Sequence, residues 1–207
     1  MRYPPVHHQE EHFDNIVYLM ESFPLATINS CLNDQILSSH TPLIYYSNNG
    51  KGKLIGHLDK YNPQLTHFNE NPTVSVIFHG PEVYISPSVY GTTQLPTWNY
   101  FKAHIHGNVV IENDQNVVKQ NLIDMTAFLE RKDKKYRLDP ENPRMLAALD
   151  YIIGFSITID RWEGKYKISQ DKRKDDQKRA KKAMTDAALK LRESIDHLYA
   201  KHQTKTS

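Results

Sequence analysis

The stretch Trp98-Asn99-Tyr100-Phe101-Lys102-Ala103-His104-Ile105-His106-Gly107-Asn108-Val109-Val110-Ile111 reads as one long strand. Aromatic and β-branched residues alternate along it with polar ones, the period that a pleated strand imposes on its two faces. A strand of this length needs partners on both sides, and the chain before it supplies shorter candidates. Leu25 to Cys31, Ile36 to Ser39, Leu43 to Tyr46, Leu54 to Leu58, Val74 to Phe78 and Val83 to Ser86 are all strand-like. Turn residues separate them: Asn33-Asp34, Ser47-Asn48-Asn49-Gly50 and His79-Gly80-Pro81. Beyond the long strand, Ile152 to Ile159 is a further strand, and Gly164 to Ser169 adds another. Many short strands at regular spacing predict a barrel or sandwich.

Helices interrupt this series, so the fold class is α+β. Asp14 to Glu21 carries Ile16, Val17, Leu19 and Met20 around one turn and stops at Phe23-Pro24. Asn62 caps a helix that begins at Pro63 and runs to Asn69. Asp114 to Glu130 spaces Val117, Val118, Leu122, Met125 and Leu129 at helical intervals, and Arg144 to Leu149 forms a short helix. The last helix is expected from Asp175 to Ala200, with a stripe of Ala180, Met184, Ala187, Leu191, Ile195 and Leu198. Residues 1–170 therefore read as the barrel domain, and 171–207 as a basic helix and tail packed on it.

Composition bounds the function. The chain has 207 residues, 39% of them apolar, enough for one core. Its formal charge is only +2, which excludes a generally basic nucleic-acid coat. The positive charge concentrates in Lys172-Arg173-Lys174 and from Lys178 to Lys182, a helix face that could meet DNA phosphates or simply be solvated. The single cysteine, Cys31, can form neither an internal disulfide nor a cysteine-based zinc site, and is expected as a small buried apolar residue. His104 and His106 share a strand face, where a polar structural role is expected ahead of a metal role. No apolar run is long enough to span a bilayer, and Met1 to Glu10 lacks the apolar run of a signal peptide; a cytoplasmic location is expected.

Several segments are too polar and aromatic for a plain core. They are Ser39-His40-Thr41-Pro42, Gly56-His57-Leu58, Asn62-Pro63-Gln64, Gly80-Pro81 with Tyr84-Ile85-Ser86-Pro87-Ser88, Pro96-Thr97-Trp98-Asn99-Tyr100, and Gly164-Lys165-Tyr166-Lys167-Ile168-Ser169-Gln170. In this order they resemble the PaiB family of FMN-binding negative transcriptional regulators. Tyr3-Pro4 and Phe23-Pro24-Leu25-Ala26-Thr27 are similar too.

The resemblance implies an FMN-binding split β-barrel of the pyridoxamine-phosphate-oxidase type, with peripheral helices, two chains pairing as a homodimer, and the flavin in the cleft between them. It also implies FMN as cofactor and a negative regulator of transcription as function. A flavin-dependent oxidoreductase on the same fold, and a degenerate relative without flavin, are the alternative readings. FMN requires donors and positive charge for its phosphate, a flat wall for its rings and polar groups at their edge. Ser39, Ser86, Ser88, Thr97, Lys165 and Lys167 suit the first. Trp98, with Tyr84 and Tyr100, suits the second. His40, Asn99, His104 and Gln170 suit the third. Trp98, Asn99, His104, His40 and Ser86 are expected to converge on one pocket.

One departure from the family pattern bears on affinity. After Ser88 the family has Trp-Tyr and about ten residues containing a lysine; this chain has Val89-Tyr90 and only Gly91-Thr92-Thr93-Gln94-Leu95 before Pro96. Loss of a charge-assisted contact to phosphate is worth about 1.5–3 kcal/mol, so weaker, substoichiometric FMN binding is expected.

Overall fold

A computed structural model describes residues 4–187. The elements run β1 (Gln9–Glu10), α1 (Phe13–Ser22), β2 (Leu25–Leu32), β3 (Gln35–Pro42), β4 (Ile44–Tyr46), β5 (Lys53–Asp59), α2 (Gln64–Glu70), β6 (Thr73–Ile85), β7 (Thr97–Glu112), α3 (Gln115–Leu129), α4 (Pro143–Ala148), β8 (Ile152–Lys167) and α5 (Lys174–Asp186). Among the described residues the strands form one eight-stranded sheet in the order β3-β2-β6-β7-β8-β5-β4, with β1 pairing to β8. Among the described residues no helix is long and apolar enough to cross a membrane.

The chain divides into two compact units. Among the described residues, unit one comprises 4–10, Gly80–Phe101 and 165–187; unit two comprises Glu11–His79 and Lys102–Gly164. Strands β6, β7 and β8 each contribute residues to both.

Unit two is built from tight local signals. Asn33 and Asp34 both take positive φ, 48° and 62°, the mirror-image turn that matches strand twist and closes the β2–β3 hairpin in full register from Leu25↔Pro42 to Leu32↔Gln35. Along β2 the inward residues Ala26, Ile28 and Ser30 are buried while their neighbours face out. Cys31 falls on the outward set and is exposed, correcting the expectation that it is buried. Helix α1 buries Ile16, Leu19 and Met20. Asn62 Oδ1 accepts the Gln64 N–H at 2.9 Å, as expected of a helix-entry residue. Gln64, fully buried, donates through Nε2 to the carbonyls of Ile28 and Leu37 at 3.0 Å each, tying α2 to two strands. At Gly107 an added Cβ would lie 2.0 Å from the Thr158 carbonyl oxygen, so only glycine lets β7 approach β8 there.

Two expected breaks are absent. Val74 to Phe78 and Val83 to Ser86 belong to one strand, β6, which passes through His79-Gly80-Pro81. The pairing of β2 with β6 ends at Phe78, so Pro81, which has no N–H, removes no bond from that ladder. Ile152 to Ile159 and Gly164 to Ser169 are likewise joined, as β8, whose pairing with β5 covers only Ile152 to Thr158.

Unit one has its own small core of Ile85, Tyr90 and Ala180, flanked by Val83, Val89, Ala183 and Met184. Helix α5 thus turns its small apolar face inward, and Lys174, Lys178, Lys181 and Lys182 outward. The expected stripe residues Leu191, Ile195 and Leu198 lie outside the described residues.

Candidate functional site

The shortened loop of unit one is clamped from α5. Asp176, 2% exposed, accepts the Gly91 N–H at 2.6 Å and the Thr92 hydroxyl at 2.5 Å. The Thr92 hydroxyl and the Gly91 N–H together hold the Asp176 carboxyl below the ordinary carboxylate range. Gln94 Nε2 donates to Thr92 Oγ1 at 2.9 Å, which carries this anchoring on toward Leu95 and Pro96.

A pocket of about 250 Å³ opens beside that loop, with Thr97, Asn99, Lys167, Lys172, His8 and Asp171 among its lining residues. Lys167 Nζ donates to Thr97 Oγ1 at 2.6 Å. Lys172 Nζ lies 2.8 Å from the Asp171 carboxylate, which partly neutralises it and leaves Lys167 the stronger positive charge. His8 is held below the ordinary histidine value, first by burial and then by His7 and Lys167, and adds a neutral ring near neutral pH.

Asn99 is the polar centre of this pocket. It is 1% exposed. Its Oδ1 accepts from Ser169 Oγ at 3.1 Å, and Ser169 Oγ lies 2.8 Å from the Tyr90 hydroxyl. A carbonyl oxygen only accepts, so Ser169 donates to Asn99 and Tyr90 donates to Ser169. Ser169 reaches this position through a positive φ of 62°. The amide orientation leaves Asn99 Nδ2 buried without a partner among the described residues. A buried N–H without an acceptor costs about 1–3 kcal/mol. The pocket therefore presents the Lys167 ammonium and the Thr97 hydroxyl, a pair suited to an anion rich in acceptor oxygens, with the Asn99 amide buried in its wall.

The other expected site residues of unit one, Ser86, Ser88, Trp98, Lys165 and Gln170, do not line this pocket. Trp98, 54% exposed, points to the opposite strand face from Asn99, its ring edge-on to Tyr84 at 6.1 Å. Lys165 Nζ lies 5.6 Å from the centre of the Tyr100 ring. Ser86 caps the 3-10 turn Pro87–Val89, and its hydroxyl is 2.8 Å from that of Ser88. Gln170 Nε2 donates to the His7 and Tyr166 carbonyls while its Oε1 accepts the Ile168 N–H, so its amide closes a turn.

Three expected residues lie in unit two. Ser39 Oγ accepts from Asn62 Nδ2 at 2.9 Å, and His40 Nδ1 is 3.0 Å from Thr27 Oγ1. His104 Nδ1 is 3.9 Å from a Glu163 carboxylate oxygen. Within unit one, the geometry joins Thr97, Asn99 and Lys167 of the expected set and adds His8, Ser169, Asp171 and Lys172. Ser169 stood inside a quoted motif and Lys172 in the basic run Lys172-Arg173-Lys174; His8 and Asp171 lay outside both.

Tyr166, half-buried in unit one, is pushed up to about 12 by burial and then by Glu10. Its neutral phenol is favoured in the folded state. Below the ordinary tyrosine value of about 10 this stabilisation is complete, and it is lost as pH rises through about 12. Melting curves from pH 9 to 12 should therefore show a fall in stability that Tyr166→Phe reduces; equal falls in both proteins would reject this origin.

Residues 2–161 match the family described as "Putative FMN-binding domain". The chain is 28% identical over 169 residues to the protease synthase and sporulation protein PAI 2 of Bacillus subtilis, covering 81% of this chain and 76% of that one. In structure it is similar to a FAD- and heme-binding protein from Mycobacterium smegmatis, with TM-score 0.59 and 14% identity over 77% of this chain and 73% of that one. It is also similar to the flavocytochrome Anf3 from Azotobacter vinelandii, with TM-score 0.58 and 12% identity over 78% and 70% of the two chains. At these identities the structural likeness establishes the fold: the α+β split barrel with peripheral helices expected from the motifs.

Proposed function

The chain belongs to the FMN-binding domain family, and from that premise we propose that it holds flavin mononucleotide at the unit-one pocket and acts, as a homodimer, as a negative regulator of transcription. The observation that carries the flavin site is the pair Lys167 and Thr97 beside the buried amide of Asn99. A phosphate monoester brings close to two negative charges near neutral pH and several acceptor oxygens. Lys167 Nζ and the Thr97 hydroxyl suit two of those oxygens. The pocket volume of about 250 Å³ suits the phosphate end and part of the chain rather than a whole flavin. Trp98, on the opposite strand face from Asn99, does not line this pocket, so the isoalloxazine ring is not assigned to it.

When bound, FMN supplies one- and two-electron redox chemistry. The chain's own residues bind and orient it: Tyr90 and Ser169 fix the Asn99 amide, and Asp176 fixes the loop bordering the pocket. The regulatory reading is supported by the name of the Bacillus relative, a sporulation protein, and by the outward lysines of α5, which suit a phosphate backbone.

Titration of the purified protein with FMN and with riboflavin tests the phosphate site, since the two differ only in the phosphate. FMN is expected to bind about tenfold or more tightly. Equal affinities would remove the phosphate from this pocket.

A further inference from the structure

Unit two contains a cleft of about 670 Å³ that the flavin reading does not use. One side is apolar, formed by Phe23, Pro24, Leu25, Pro42 and Leu129. Three of these are large and exposed, at 37% for Phe23, 61% for Leu25 and 47% for Leu129. Thr27, His40 and His79 line the cleft as well.

The polar residues form a directed chain across four strands. Lys102 Nζ is 3.0 Å from His79 Nδ1. His79 Nε2 is 3.0 Å from Thr27 Oγ1, and Thr27 Oγ1 is 3.0 Å from His40 Nδ1. Thr27 and His40 stand directly opposite in the β2–β3 register, which fixes the last link. A lysine ammonium only donates, so Nδ1 of His79 accepts and His79 carries its proton on Nε2. That proton goes to the Thr27 oxygen, and the single Thr27 proton goes to His40 Nδ1. His40 is thereby held as the Nε2–H tautomer, with a donor left at the end of the chain. Each link polarises the next, and the sequence begins at a cation, so the terminal N–H favours an anionic acceptor. Among the described residues lining the cleft none is acidic.

We propose that this cleft binds a small apolar carboxylate. One carboxylate oxygen accepts from His40 Nε2–H, and the hydrocarbon body covers Phe23, Leu25 and Leu129. The volume lies within the range of about 300–1,000 Å³ common for small-molecule pockets, and an apolar floor with few placed polar groups is their usual composition. His40 is the ligand-contacting residue; Thr27, His79 and Lys102 position its proton.

The test uses full-length protein labelled with 15N-histidine and the probe 2-naphthoate, with naphthalene-2-methanol as its neutral counterpart. Long-range 1H–15N spectra are expected to show His40 and His79 as Nε2–H tautomers. Naphthoate should shift the His40 signals saturably and bind at least tenfold more tightly than the alcohol. Thr27→Val keeps the side-chain shape and removes the relay hydroxyl; it should weaken naphthoate at least fivefold and release the His40 tautomer. Lys102→Met, outside the cleft lining, should release the His79 tautomer and provides the same test should the valine variant fail to fold. An Nδ1–H tautomer at His40, equal binding of acid and alcohol, or a folded protein whose His40 does not respond because a second copy of the chain covers the cleft would each overturn the proposal.

Discussion

Phe155→Ala is expected to destabilise the protein by about 3–5 kcal/mol, the usual range for deleting a fully buried phenyl ring. Phe155 is 1% exposed on β8 and packs edge-on against Phe68 with ring centres 5.5 Å apart. It stands directly opposite Gly56 in the β5–β8 register. A Cβ at Gly56 would lie 2.9 Å from Phe155 Cζ and 2.6 Å from Leu43 Cδ2, so the ring occupies the space that glycine leaves. Removing it empties that space on both sides, and the paired strands cannot collapse to refill it. Urea unfolding should show a lower midpoint at an unchanged slope. A loss below about 1 kcal/mol would mean that Phe155 is not the packing centre described.

Lys167→Met should weaken FMN by about ten- to a hundredfold while leaving riboflavin affinity nearly unchanged. The ammonium is the stronger cation of the pocket, because Asp171 partly neutralises Lys172 and His8 is neutral near neutral pH. Methionine keeps much of the aliphatic stem, so the loss isolates charge and hydrogen bonding from packing. The Thr97 hydroxyl, 2.6 Å from Nζ, loses its donor as well. Flavin fluorescence titration of both proteins gives the ratio directly. Parallel losses for FMN and riboflavin would point to a disturbed pocket rather than to a phosphate contact.

The elements that rest on local chemistry were legible in the sequence. Asn33-Asp34 announced a turn because both residues tolerate positive φ, and both adopt it. The apolar spacing from Val117 to Leu129 announced a helix, which runs Gln115–Leu129, with the Asp114 side chain accepting the Asn116 N–H at 2.8 Å. The continuity of β6 through Gly80-Pro81 was not legible, because both residues are strand breakers by local rule. Only the register shows that β2 stops pairing at Phe78, so the proline removes no bond from the β2–β6 ladder. Gly56, quoted as part of a motif, has a packing reason that becomes visible only with Phe155 opposite it.

At the site, Asn99, Thr97 and Lys167 were legible as polar residues within aromatic motifs. Lys172 was legible only as part of a basic run and His8 not at all, since they join the pocket through a turn at Ser169 and from a segment distant in sequence. The loop after Tyr90 shows a second limit. Its sequence recorded a missing lysine; the structure adds that Gly91 and Thr92 are held by Asp176 from α5. The shortened loop is thus an anchored element, and the pocket's positive charge comes from Lys167 and Lys172 instead.

A phosphate site with fewer cations than the family pattern should hold FMN below saturation. The flavin absorbance of the purified protein, read before and after addition of FMN and removal of excess, tests it most directly. Less than one flavin per chain is expected as isolated, rising saturably toward one on addition. No retained flavin after FMN addition to the folded protein would contradict it.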